Sequence, residues 1–221
     1  MGTAERGSDA RKKLIDAARD LFAERGIEGV SLRELTRAAG QANTSALQYH
    51  FGDREGLLHA VLEPHQTRVD ARRAMLLEDL EARDPVELRD LAGALVRPSA
   101  AMLEEAGGKA YLRIVAELNQ DPGRFKGTTT IGQIGLKRWT DVARAHMPDA
   151  VSPLHRRFAA AQLCFSELGR RASTRRRGDH RLFVSDLVDL TTAILAAPVS
   201  SETQRLLTER DASASRKRAR S

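Results

Sequence analysis

A short segment near the amino end, residues 43–51, carries side chains suited to hydrogen bonding with a nucleic acid. Serine and threonine hydroxyls can reach base edges or phosphates, a glutamine can pair bidentately with adenine, and tyrosine and histidine can bind phosphate oxygens. The polar residues of the segment are Asn43, Thr44, Ser45, Gln48, Tyr49 and His50, while Ala46, Leu47 and Phe51 are apolar. This pattern predicts a helix about two turns long whose polar side enters a DNA major groove.

The residues before this helix supply the signals of a second short helix and a turn. Ser31 and Glu34 have the spacing of a capping box at a helix start. Leu35 and Ala39 continue at helical spacing, and Gly40 can leave the helix in a left-handed conformation. We expect Asn43 to cap the following helix and Gly52 to end it. Ser31, Arg33 and Arg54 complete the predicted DNA-binding residues.

The sequence predicts an amphipathic helix before these two short helices. Its apolar residues Leu14, Ile15, Ala18, Leu21 and Phe22 form a stripe at helical spacing that can cover two shorter helices. Gly26 is placed to end it. The sequence therefore predicts a three-helix domain with a helix-turn-helix, in preference to an ordinary helical subdomain.

These residues resemble the TetR family of transcriptional regulators over about the first sixty positions. In that family an Ala-Gly pair, a turn and a recognition helix ending Leu-Tyr-x-His-Phe precede a Ser-Lys-Glu sequence. The matching residues here are Ala39, Gly40, Leu47, His50, Phe51 and Glu55. The chain differs at Gln48, where the family has tyrosine, in a turn one residue longer, and in Asp53-Arg54 replacing Ser-Lys.

Composition restricts the class of protein. The chain has 221 residues, 41% of them hydrophobic and only 4% aromatic, so leucine and alanine must fill the core. A single cysteine excludes an internal disulfide, and no apolar run is long enough for a signal core or a membrane span. We expect a cytoplasmic protein with no membrane partner.

The distribution of charge along the chain does not identify the DNA-binding segment. The formal net charge is +6, yet residues 1–54 hold nine basic and eight acidic side chains. The surplus lies in two arginine-rich stretches, one at residues 170–181 and one in the Ser/Ala-rich tail. Both could be solvated or could contact phosphate, and for the tail we favour a disordered, solvated segment.

The rest of the chain is also predicted to be helical, which makes the fold class all-α. We expect a DNA-binding domain at residues 1–52, a larger helical ligand-binding and dimerisation domain at 53–199, and a disordered basic tail at 200–221. Pro64 and Pro98 interrupt helical patterns, so we expect each helix to kink or end there.

The last two helices of the larger domain have broad apolar surfaces, which a second copy of the chain could cover. The resemblance implies a homodimer formed through a four-helix bundle, with two recognition helices about 34 to 36 Å apart on a palindromic site. The alternative is burial in a monomer core. The predicted dimerisation residues are Phe158, Ala161, Phe165, Val184, Leu187, Val188 and Leu195.

The resemblance also implies a small-molecule effector held among the central helices, whose binding changes the spacing of the two readers and lowers affinity for DNA. Large apolar or amphipathic side chains in that region are candidate ligand contacts, although each could be ordinary core. They are Met102, Tyr111, Phe125, Trp139 and Phe158. Because they are few and scattered, they indicate an aliphatic-lined cavity.

A helical enzyme and a nonspecific architectural DNA binder are the alternatives. His59, Glu63 and His65 do not share one helical face, so they do not predict a metal site. Cys164 lies among apolar residues and has no histidine near it in the sequence. We therefore predict no catalytic residues, no metal and no cofactor. The basic tail would suit an architectural protein, which would bind all duplexes similarly.

Overall fold

The computed structural model describes residues 3–41, 43–83, 85–120, 133–147, 154–174 and 178–218, and the regular structure in these ranges is entirely helical. This confirms the predicted all-α fold class. The helices are α1 (Thr3–Arg25), α2 (Leu32–Ala38), α3 (Ser45–Phe51), α4 (Arg54–Glu81), α5 (Leu88–Ala100), α6 (Gly108–Gln120), α7 (Gln133–Ala145), α8 (Arg156–Ser173), α9 (Arg181–Ala196) and α10 (Ser201–Arg218). A short 3₁₀ turn, Ala101–Leu103, follows α5.

Helices α1, α2 and α3 pack together at the amino end around one small core. Leu14, Ala18 and Phe22 of α1 are buried against Leu35 of α2 and Leu47 of α3. Gly26, Gly40 and Gly52 follow the three helices with φ of +80°, +68° and +74°. A side chain at these positions would be strained, which is why glycine ends each helix.

Of the two outcomes expected at Pro64 and Pro98, a kink or a helix end, the helix end is not found. Helix α4 continues through Pro64 to Glu81, and α5 continues through Pro98 to Ala100. Each proline removes one amide from the helix, but the surrounding residues pack into the core and hold the helix together. Leu62 and His65, on either side of Pro64, are both buried.

The remaining helices form a bundle in which α6 packs on α8, α5 on α9, and α4 on both α5 and α7. Helices α6 and α8 approach closely because both have small residues where they cross. A Cβ built on Gly169 would lie 2.4 Å from the Cβ of Ala116. The hydrophobic core is continuous from this bundle into α1–α3.

Within the predicted tail, residues Ser201–Arg218 form α10, a helix of 18 residues. Its sequence contains good helix formers, the Ser200 hydroxyl accepts the Thr203 amide at 3.2 Å, and Arg205 pairs with Glu209. Among the described residues no single helix is long and apolar enough to cross a membrane. The bent pair α9 and Ser201–Ser213, at 54° to each other, passes that test by length and composition only.

Candidate nucleic-acid interface

Helix α3 has a buried side and an exposed polar side. Leu47 is buried in the core beneath the helix, whereas Thr44, Ser45, Gln48 and Tyr49 are exposed. The Tyr49 side chain is 85% exposed, which is unusual for an aromatic residue of this size. We call these four exposed residues the reader face.

The turn between α2 and α3 is held by Asn43. Its side-chain oxygen accepts the Ser45 amide at 3.0 Å, while Thr44, the residue directly before the helix, makes no side-chain capping bond. Asn43 thus satisfies one of the free amides at the start of α3, as predicted. The Thr44 hydroxyl is not used for capping, and it lies at the exposed entry of the helix.

The predicted capping box at α2 is confirmed. The Ser31 hydroxyl accepts the Glu34 amide at 3.2 Å, and the Glu34 carboxylate accepts both the Ser31 amide and the Ser31 hydroxyl at 2.8 Å. These hydrogen bonds, with Arg25 beside them, lower the pKa of Glu34 to about 2. The Ser31 hydroxyl is therefore engaged in capping, whereas Arg33 of the same helix is exposed.

The C-terminal end of α3 is an aromatic cluster. Tyr49 and His50 make an edge-on contact with ring centres 5.0 Å apart, and His50 lies 6.0 Å from Phe51. Arg11 of α1 lies over the Phe51 ring at 5.4 Å. His50 is half-buried, so its ring is partly withdrawn from the surface that Tyr49 occupies.

Arg54 occupies a different position from the one expected of a phosphate contact. Its guanidinium donates to the carbonyl oxygen of Ile27 and, at 2.7 Å, to that of Val30. Both acceptors belong to the loop between α1 and α2. The structure thus uses Arg54 to join the start of α4 to this loop, a positioning role that the sequence pattern did not indicate.

The predicted ligand contacts differ in their burial. Met102, Tyr111 and Trp139 are buried, and the Trp139 indole donates to the Leu91 carbonyl at 2.8 Å. Phe158 is 52% exposed on the outer side of α8, so its prediction as an interior ligand contact is wrong. Phe125 lies outside the described residues.

A polar network missed by the sequence analysis lies beside Tyr111. The Tyr111 hydroxyl donates to Gln66 at 2.6 Å, Gln66 donates to Asp70 at 2.9 Å, and the buried Arg73 donates to Asp70 at 3.1 Å. The signal was present in the sequence: Arg73 falls at helical spacing between the buried Val69 and Leu77 of α4.

Four of the predicted dimerisation residues are buried within the chain itself. Ala161, Leu187, Val188 and Leu195 are at most 4% exposed, because α8 packs on α6 and α9 on α5. These four side chains face the chain's own core, Ala161 from α8 and the other three from α9, so they are not exposed to a second copy. Phe165 and Val184 are half-buried, and the exposed apolar residues of this region are Phe158, Leu182 and Leu190.

The residues considered for enzymatic chemistry are separated in the structure. His59 is exposed and His65 is buried. Within the described ranges, no group of three or more His, Cys, Asp or Glu side chains is arranged to hold a metal ion. Cys164 is completely buried, which raises the pKa of its thiol to about 12 and keeps it protonated.

The described arginines of the 170–181 stretch have partners in the chain. Arg170 pairs with Glu167, Arg181 pairs with Asp179, and Arg171 donates to His180 at 3.1 Å while lying over the Phe183 ring. These contacts favour a structural role for this stretch at the α8–α9 connection.

The chain is similar to two curated regulatory proteins over part of its length. The chain is 32% identical over 99 residues to the HTH-type transcriptional repressor AcnR of Corynebacterium efficiens, covering 40% of this chain and 52% of the relative. It is 26% identical over 114 residues to the HTH-type transcriptional regulator UidR of Escherichia coli O157:H7, covering 51% and 53%. The chain thus spans about half the length of the curated relatives it matches.

The fold has relatives among solved structures. A crystal structure of an alanine-substituted mutant of HlyIIR superposes with a TM-score of 0.57 at 16% identity, covering 90% of this chain and all of the other. This similarity concerns the fold. Residues 14–61 match the sequence model described as bacterial regulatory proteins, tetR family. Residues 14–61 are thus similar to the domain that defines this family of bacterial regulatory proteins.

Proposed function

We propose that the chain is a sequence-specific DNA-binding transcriptional regulator that acts in the cytoplasm as a repressor. The observation that supports this most directly is the reader face, a row of exposed hydroxyl, amide and phenol groups on a short helix fixed by a buried core. A helix of this size enters the major groove, where such groups read base edges. The match to the tetR family model, residues 14–61, includes this part of the chain.

The residues of the reader face, and its neighbours His50 and Arg33, have separate roles. Thr44, Ser45 and Gln48 lie where they reach base edges, with Gln48 suited to adenine. Tyr49 and His50 lie at the far end, where a hydroxyl and a ring nitrogen bind phosphate oxygens. Arg33 adds a further phosphate contact from α2.

The regulator acts as a homodimer on a palindromic operator. The outer sides of α8 and α9 expose Phe158, Leu182 and Leu190, which lie apart from the residues packed on α5 and α6. Exposed apolar residues on adjacent helices favour burial against a second copy with twofold symmetry. Two reader faces about 34 to 36 Å apart would then enter successive major grooves.

A small-molecule effector bound among the central helices releases the repressor from DNA. Helix α4 supports this coupling, since one continuous helix runs from the DNA-binding domain into the bundle. An effector that binds better to one spacing of the two readers shifts the population toward that spacing.

The test is selection of bound fragments from random duplex DNA, followed by titration of the selected duplex and a scrambled one. A specific regulator should prefer the selected site by about 10³-fold or more, and the site should be palindromic. Equal affinity for both duplexes would instead identify an architectural DNA binder.

Single substitutions test the roles of the reader face. Gln48→Ala and Thr44→Ala should alter preference at one base pair of each half-site, at a cost of about 1–3 kcal/mol there. Tyr49→Phe should weaken binding to all duplexes to a similar extent. Gln204→Ala, on the exposed side of α10, is the matched control. Equal losses on selected and scrambled DNA for all three reader variants would contradict the assignment.

A further inference from the structure

The C-terminal bundle contains a buried positive charge that the proposed function does not yet use. The Arg73 side chain is 1% exposed and lies among helices α4, α5 and α8 and the Tyr111 side chain of α6. Burial lowers the pKa of Arg73, but a guanidinium starts so high that it remains charged at physiological pH. A buried cation is costly unless it is paired and hydrogen-bonded on all sides.

The pairing of Arg73 is incomplete. Its Nη1 donates to Asp70 Oδ1 at 3.1 Å and its Nη2 donates to the Ser99 hydroxyl at 3.2 Å. Among the residues that the structure describes, the buried Nε has no acceptor. The same Asp70 oxygen also accepts a hydrogen bond from Gln66. The positive charge of Arg73 is therefore neutralised through a single carboxylate oxygen that it shares with Gln66.

The free donor lies on the edge of the guanidinium that best recognises carboxylates. The Nε and Nη2 hydrogens of an arginine point in parallel, and this fork matches the two oxygens of a carboxylate. In Arg73 the Nε donor of this pair has no acceptor among the described residues. The Nη2 donor is bound only to the Ser99 hydroxyl, which can rotate to donate to an anion instead.

We propose that Arg73 anchors a binding site for a small organic carboxylate, and that this carboxylate is the effector. The second part rests on the proposed function. The ligand carboxylate binds Nε and Nη2 of Arg73 and accepts from the Ser99 hydroxyl. Tyr111 and Cys164, which lie beside the guanidinium, belong to the apolar core that borders this site.

Asp70 and Gln66 mark the side from which the site is reached. Both are only half-buried, whereas Arg73 beneath them is buried. Helix α7 lies against this point, because a Cβ on Gly135 would come within 2.2 Å of the Asp70 carboxylate. A ligand that neutralises Arg73 releases Asp70 from its role as counter-ion, at a point where Asp70 packs closely on α7.

The site is connected to the reader face by α4. Arg73 and Arg54 are on the same helix, 19 residues apart, which corresponds to roughly 28 Å. A change in the packing of α4 around Arg73 is thus passed to the helix end that holds the loop between α1 and α2.

The test uses the purified full-length chain without DNA. The probes are acetate, butyrate, octanoate, benzoate and succinate, each compared with its neutral amide by thermal unfolding and by calorimetric titration. At least one carboxylate should raise the Tm and bind, while its amide should not, because an amide lacks the charge that Arg73 requires. If none of the five exceeds its amide, the proposal is overturned.

The variants separate a ligand anchor from a structural ion pair. Arg73→Lys keeps the charge but loses the fork, and should weaken binding of the active carboxylate by roughly 10-fold or more. Asp70→Asn removes the competing internal carboxylate and should tighten the same binding. Arg72→Lys, on the exposed neighbour that pairs with Glu105, is the control and should change nothing.

Weaker carboxylate binding by Arg73→Lys together with tighter binding by Asp70→Asn would support the site. Disruption of a purely structural ion pair should instead change binding in the same direction in both variants. Weakening by both, or by neither, would overturn it. The active carboxylate is then added to the complex with the selected duplex. Unchanged DNA affinity would overturn the effector role. Failure of the chain to select any DNA would count against the proposed function alone, because the carboxylate-binding assay contains no DNA.

Discussion

The Glu117 carboxylate of α6 accepts the backbone amide of Ile27 with both oxygens, at 3.0 and 3.1 Å. Ile27 belongs to the loop between α1 and α2, so a helix of the bundle is hydrogen-bonded directly to the amino-terminal group of helices α1–α3. The carbonyl of the same residue accepts from Arg54. One residue of the loop is therefore held from both sides, by α6 through its amide and by the start of α4 through its oxygen.

Replacing Glu117 should loosen this link. Glu117→Gln removes the charge and one acceptor, and we expect the free energy of unfolding to fall by about 1–2 kcal/mol, as measured in urea. The same variant should weaken the effect of a bound effector on DNA affinity, because α6 is then less firmly joined to the reader domain. Glu24→Gln, on the exposed side of α1, is the control. Unchanged stability and unchanged response would show that the link carries no coupling.

Arg54 should behave as a structural residue. Arg54→Lys cannot reach both the Ile27 and Val30 carbonyls, so the free energy of unfolding should fall by about 1.5–3 kcal/mol. Arg37→Lys on the exposed side of α2 should leave it unchanged. If Arg54→Lys unfolds like the unsubstituted chain but binds all duplexes weakly, Arg54 contacts phosphate after all.

The capping box should make stability depend on pH. The folded pKa of Glu34 is lowered to about 2 from a model-peptide value of 4.5, so its contribution is present above pH 4.5 and is lost as the pH falls toward 2. Glu34→Gln should therefore have a lower Tm than the unsubstituted chain at pH 7, and the difference should shrink between pH 4.5 and 2. A difference that stays constant over this range would show that the charge of Glu34 does not contribute.

The proposed dimer can be tested at Leu190, which is 47% exposed on α9. Leu190→Glu places a charge in the apolar interface, and the dimer dissociation constant should rise by a factor of roughly 30 or more, as measured by analytical ultracentrifugation. Leu206→Glu, on a comparably exposed leucine of α10, should leave assembly unchanged. A Leu190→Glu chain that remains as dimeric as the Leu206→Glu control would place the interface elsewhere.

Local signals in the sequence were sufficient to predict helices α2 and α3 and their ends. The Ser31–Glu34 spacing predicted a capping box, Gly40 and Gly52 predicted helix ends, and the alternation of Leu47 with Gln48 and Tyr49 predicted a buried and an exposed side of α3. All of these are found in the structure. Each depends on residues within a few positions of one another, where helix geometry fixes the outcome.

Contacts between distant residues were decided only by the tertiary structure. The guanidinium of Arg54 could be assigned to loop carbonyls, and the carboxylate of Glu117 to an amide 90 residues away, only once the helices were packed. The same packing buries Leu187 and Val188 and exposes Phe158, although all three are apolar. Sequence periodicity shows that a helix has an apolar side, but the neighbouring helix determines which part of that side is covered.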